Sequence, residues 1–121
     1  MFNEPALNTF DAEAAQKLMS GGCYKLVDKI EIQTYTAMEI LDKYVPENQK
    51  IDIMDIDIEG FDDEVINSVD WEKYHPYIIL TEKPHAKQIM PHSVLLKAGY
   101  EMAAWTGRTV IYKAIKSDVI L

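Results

Sequence analysis

Ile51-Asp52-Ile53-Met54-Asp55-Ile56-Asp57-Ile58-Glu59-Gly60 is the stretch whose reading decides how this chain folds. Successive side chains of a strand point to opposite faces, so Asp55, Asp57 and Glu59 project one way. Met54, Ile56 and Ile58 project the other way, toward an apolar interior. Burying several unpaired charges is costly, and adjacent carboxylates repel one another. The acidic tip must therefore meet water, a cation, a donor-rich ligand or the basic groups of a partner. That pattern predicts a site at the carboxyl end of a strand over residues 50–57, broken by Gly60.

Upstream, residues 8–22 read as a helix, with Asp11 as N-cap, helix formers over 12–19 and Gly21-Gly22 as a stop. Residues 29–34 alternate apolar and polar, which predicts a half-buried strand. Residues 36–44 predict a short amphipathic helix ended by Val45-Pro46. Downstream, Asp62 or Asp63 opens a helix to about residue 69. The Asp62-Asp63-Glu64 run then forms a favourable first turn. Residues 76–82 form a continuous apolar run, the pattern of a strand covered on both faces. Residues 91–98 predict a helix with Pro91 near its start and Gly99 beyond its end. Residues 100–105 and 109–115 predict two strands joined by the hairpin turn Thr106-Gly107-Arg108. Alternating helices and strands predict an α/β fold: a mostly parallel sheet closed by a C-terminal antiparallel hairpin. Ligands of such open sheets sit beyond the carboxyl ends of the strands, where Asp57, Glu59 and Glu82 fall.

The 121 residues suffice for one domain spanning the chain. At 48% hydrophobic and 26% charged, the composition is that of a globular protein. Twenty acidic against twelve basic residues give a formal charge of -8. A surface that negative repels phosphate backbones and anionic membranes, which excludes nucleic-acid and lipid-surface roles. No apolar run is long enough to cross a bilayer, and no basic-then-apolar leader opens the chain. The single Cys23 cannot form an internal disulfide. It fits a reducing cytoplasm as a bland thiol.

The residues from Ile51 to Ile66 resemble the core motif of FkbM-type methyltransferases, an apolar-Asp strand running into Ile-Asp-Val-Glu-Gly and an acidic helix start. Asn8-Thr9-Phe10, residues 36–41, the strand ending in Glu82, Gly99-Tyr100 and Ile111-Tyr112 resemble flanking segments in the same order. The resemblance implies a partial class I, Rossmann-like sheet and transfer of a methyl group from S-adenosylmethionine to a hydroxyl of a small-molecule or sugar-like acceptor. It makes Asp57 and Glu59 the catalytic or substrate-orienting pair, beside the substrate-side candidates Glu82 and His85. Two departures stand out. Asp55 replaces a usual lysine, and the glycine-rich turn that grips the donor in such enzymes has no counterpart upstream. Gly21-Gly22 follows a helix and makes no Gly-x-Gly-x-x-Gly pattern. The chain thus reads as the C-terminal half of the domain, expected to bind the donor poorly alone.

The other readings are structural. A divalent cation on Asp55, Asp57 and Glu59 would make a metal-dependent hydrolase or phosphotransferase, but no metal site is assigned. The bland reading of Asp57 and Glu59 is a helix-start anion and a solvated loop residue. His75 and His92 read as surface or capping residues, and Trp71, Trp105, Tyr74 and Tyr77 as core packing. A strand lacking its usual neighbour leaves unpaired backbone groups and apolar flanks. Three covers suggest themselves: the 29–34 strand, a second copy, or a subunit supplying the missing half. A self-associating, non-catalytic remnant is the alternative to the enzyme.

Overall fold

The computed structural model describes residue 1, residues 8–9, 11–83 and 88–115. Its elements run α1 (Ala12–Ser20), α2 (Ala37–Tyr44), β1 (Ile53–Ile56), α3 (Asp62–Ser68), β2 (Ile78–Glu82), α4 (Ser93–Lys97), β3 (Tyr100–Trp105) and β4 (Thr109–Ala114). The local signals act as their chemistry requires. The Asp11 carboxylate accepts from Glu13 N–H at the start of α1. Thr36 and Glu39 form a reciprocal capping box on α2. Gly107, with φ of +94°, makes the β3–β4 turn.

The four strands form one sheet in the order β1-β2-β4-β3. β1 and β2 are parallel, Ile53 opposite Ile78 and Ile56 opposite Thr81. β4 lies antiparallel to both β2 and β3. The sheet is therefore mixed, with one parallel pair among the described residues, and not mostly parallel as the alternation predicts. The hairpin supplies as many strands as the β-α-β unit does. β1 forms one edge of this sheet.

One face of the sheet carries the core. Ile56, Ile79, Val110 and Tyr112 pack with Ile66 of α3 and Leu95 of α4. Each fully buried aliphatic or aromatic side chain there contributes about 1.5–3 kcal/mol. Trp71 is 3% exposed. Its indole N–H donates to the Ile66 carbonyl at 2.8 Å, and its ring meets Tyr100 edge-on. The Tyr100 hydroxyl donates to the Pro76 carbonyl at 2.8 Å, and burial pushes its phenol pKa well up.

Several expectations give way. Residues 29–34 form no strand, and Ile30 and Ile32 are exposed, so the segment does not pair with β1. β2 alternates between half-buried and buried positions, so it is tightly covered on one face only. On the other face Ile53 is 62% exposed, and Ile78, Leu80 and Ile111 are half-buried or less and lie outside the core cluster. Trp71 and Tyr74 are core residues as read, but Trp105 and Tyr77 are exposed. Among the described residues, no helix is long and apolar enough to cross a membrane.

Candidate functional site

β1 ends at Ile56, one residue sooner than the acidic pattern predicts, so Asp57, Ile58 and Glu59 form the link to α3. The facing pattern survives nonetheless. Met54, Ile56 and Ile58 turn inward, while Asp55, Asp57 and Glu59 are exposed. The link closes through two positive φ angles, Glu59 at +44° and Gly60 at +112°. The second is a conformation that L side chains rarely adopt, which accounts for the glycine. The first is uncommon for a residue with a Cβ and marks a turn over-determined by its surroundings. One such restraint is the Thr9 hydroxyl, which donates to the Glu59 carbonyl at 2.8 Å.

β2, parallel to β1, delivers Glu82 at its own carboxyl end. One carboxylate oxygen each from Asp57, Glu59 and Glu82 lies within 4.8 Å of the others. Asp55 stands apart from this group, so a shared cation would engage Glu82 in its place. Partial burial raises the Asp57 carboxyl pKa above the usual range, reinforced by Glu82, Asp62 and Asp55. Burial likewise raises Glu59, with Asp57, Glu82 and Asp62 adding to it.

Arg108, which the sequence reading placed only in the hairpin turn, opposes both shifts. Its guanidinium donates to Glu82 Oε1 through Nη2 at 2.6 Å and Nε at 3.2 Å. The contact follows from the sheet: Glu82 lies opposite Thr109, which brings the β3–β4 turn over the end of β2. No local pattern announces it, because residues 82 and 108 meet only once β2 and β4 have paired. Among the described residues, Arg108 is the cation that lowers the pKa of Asp57 and Glu59.

A second cluster borders the first. His92, in the N-cap position of α4, makes no capping bond with its ring. Its Nε2 lies 2.8 Å from Asp63 Oδ1 and its Nδ1 2.8 Å from the Tyr112 hydroxyl. The Lys83 ammonium also pairs with Asp63. The Tyr112 hydroxyl accepts from the His92 backbone N–H at 3.0 Å, so His92 joins α4 to both α3 and β4. His75 stacks on Tyr100 at 4.6 Å and contacts the Ala98 carbonyl at 3.0 Å. His85, the remaining substrate-side candidate, lies outside the described residues.

Two hollows are present, and the first reaches Thr9 and Asp11, which border the Glu59-Gly60 turn. One, of about 660 Å³, is lined by Ala12, Ala15 and Met19 of α1 together with Leu26, Ile30 and Ile32. The other, of about 480 Å³, opens near Asn48, Tyr77 and His75.

Among the described residues, no glycine-rich turn after a strand offers a grip for S-adenosylmethionine. Among the described residues no strand precedes β1, and Gly21-Gly22 follows α1. A Cβ added to Gly22 would meet nothing within 4 Å, so no close backbone approach explains that glycine.

No curated protein and no solved structure matches the chain significantly. The methyltransferase FkbM domain matches it over residues 4–102, which include α1 to α4, β1, β2 and the acidic link. The chain belongs to the FkbM methyltransferase domain family.

Proposed function

We propose that this chain carries the acceptor side of an O-methyltransferase, with Asp57 and Glu59 as the pair that orients and deprotonates the acceptor hydroxyl. The observation that carries this reading is the convergence of Asp57, Glu59 and Glu82 within 4.8 Å at the ends of two parallel strands. An alcohol oxygen that gains a methyl group must lose its proton. A carboxylate whose pKa lies above the usual range is the better base for that task. Glu82, held by Arg108, offers a further acceptor to a neighbouring hydroxyl, and Arg108 itself offers donors. Carboxylates beside a guanidinium suit a small molecule with several hydroxyls, such as a sugar. His85 belongs to the same substrate-side proposal.

The methyl donor on this reading is S-adenosylmethionine, the donor that the family suggests. Among the described residues no strand and glycine-rich turn precede β1, so its grip is proposed to come from a second copy or from another subunit. The exposed Cys23 thiol fits a reducing, cytoplasmic setting.

The site reading is tested by titrating the 121-residue chain with methyl glycosides of common hexoses while following carboxyl resonances. Shifts confined to Asp57, Glu59 and Glu82, and lost in Glu59→Gln, are expected. Shifts elsewhere, or none at these three, would refute it.

A second reading, a self-associating module without catalysis, is favoured by β1 at the sheet edge and by Ile53, 62% exposed beside it. An uncovered edge strand recruits another chain. Light scattering at high micromolar concentration separates the readings: a dimer that shows none of the glycoside shifts supports the module, and a monomer argues against it.

A further inference from the structure

Asp62 is the buried carboxylate of the described residues, 6% exposed at the first position of α3. Its surroundings explain why a charge is tolerated there. Asp62 Oδ2 accepts the Ile58 backbone N–H at 3.3 Å. Asp62 Oδ1 accepts the Glu82 backbone N–H at 3.2 Å and the Thr81 hydroxyl at 3.3 Å. Three donors on one carboxylate offset much of the cost of burying it. Ile58 stands between Asp57 and Glu59 in the chain, and its N–H lies beyond the end of β1, where no ladder partner awaits it. Glu82 closes β2. One side chain therefore ties together the two backbone segments that bear the three acids.

We infer that Asp62 is a positioning residue: its carboxylate clamps the 57–59 link to the end of β2, so that Asp57, Glu59 and Glu82 face one common space. This deepens the site reading proposed above and rests on it. Asp62 touches no substrate and acts through the backbone of its neighbours. Without it, two buried or half-buried N–H donors and the buried Thr81 hydroxyl lose their acceptor. The link, already turned through two positive φ angles, is then free to swing away from Glu82.

The test is a double-mutant cycle read on carboxyl titration rather than on stability. In the unaltered protein, Glu82→Gln removes a neighbouring negative charge and lowers the midpoints of Asp57 and Glu59. In the Asp62→Asn background the same substitution is expected to leave both midpoints where they are. Asparagine keeps the shape but sets an N–H₂ group against one of the backbone donors, which releases that side of the clamp. A purely structural or purely electrostatic Asp62 would leave the Glu82 effect undiminished, and that result overturns the inference while sparing the site. If Glu82→Gln moves neither midpoint even in the unaltered protein, the site reading itself fails. Should Asp62→Asn not fold, amide exchange in the unaltered chain decides. Slow exchange at Ile58, outside any strand, supports the clamp, and fast exchange there overturns it.

Discussion

The chain before Ile56 and the chain after it are built differently, although both are rich in apolar residues. No described residue ahead of Ile56 is buried, and α1 and α2 contribute none. From Ile56 to Ala114 the core is continuous across four strands and two helices. The first region meets the second through partly buried Ala37, Met38, Leu41, Val45, Ile51 and Met54, and through polar contacts. Thr9 bonds Glu59, the Asp11 carboxylate sits beside Gly60, and Asp42 receives Lys73 and Tyr74. Helix signals were sufficient to form α1 and α2, whose caps are well made. They were not sufficient to bury them, because burial needs a complementary face and not a local pattern. The acid cluster lies on the seam, within reach of both regions but positioned by the second.

The sharpest break of this comparison comes from the core. Trp71→Ala is expected to cost about 3–5 kcal/mol in urea unfolding. Met19→Ala in α1, with Met19 39% exposed, is expected to stay within about 0.5 kcal/mol. Equal losses at the two positions would erase the distinction. At the seam, Gly60→Ala forces a Cβ onto a φ of +112°. It is expected to cost about 1–3 kcal/mol by the same measurement.

Charge at the site gives a smaller effect with a definite sign. Asp57 and Glu59 have folded pKa values raised above the unfolded ones. The folded state thus holds protons that the unfolded state releases. These groups make the protein less stable as pH rises from the ordinary carboxylate range through the raised values. Asp57→Asn should therefore stabilise the fold at neutral pH, by about 0.5 kcal/mol or less given solvent screening. The gain should fade as pH falls through the ordinary carboxylate range and vanish by about pH 2.5, where both carboxyls are protonated in either state. Thermal melts at the two pH values check it. Smallest of all, Arg108→Ala removes the opposing cation and is expected to push the Asp57 and Glu59 midpoints further up, seen by carboxyl titration.

The acidic link was legible because period-two alternation and a terminating glycine are local facts. The facing of Met54, Ile56 and Ile58 against Asp55, Asp57 and Glu59 followed from them. The helices around α3 and α4 and the hairpin were legible for the same reason. The strand expected at 29–34 does not form, because alternation alone does not bring that segment to the β1 edge, and Ile30 and Ile32 stay exposed. The apolar run at 76–82 promised two covered faces, yet its outer side chains Ile78 and Leu80 lie outside the core. Arg108 and Asp62 were placed correctly, but their contacts were underread for a common cause. Their roles depend on β2 meeting β4 and on the link folding back to β2, contacts spanning 26 and 20 residues.

The division between the two regions has one direct consequence for function. On the proposed reading the sheet presents the acceptor side, and the grip on the donor comes from a second copy or another subunit. Calorimetric titration of the 121-residue chain with S-adenosylmethionine measures this consequence outright. Weak, unsaturated heats through the micromolar range are the predicted result, and tight one-to-one binding in that range would contradict it.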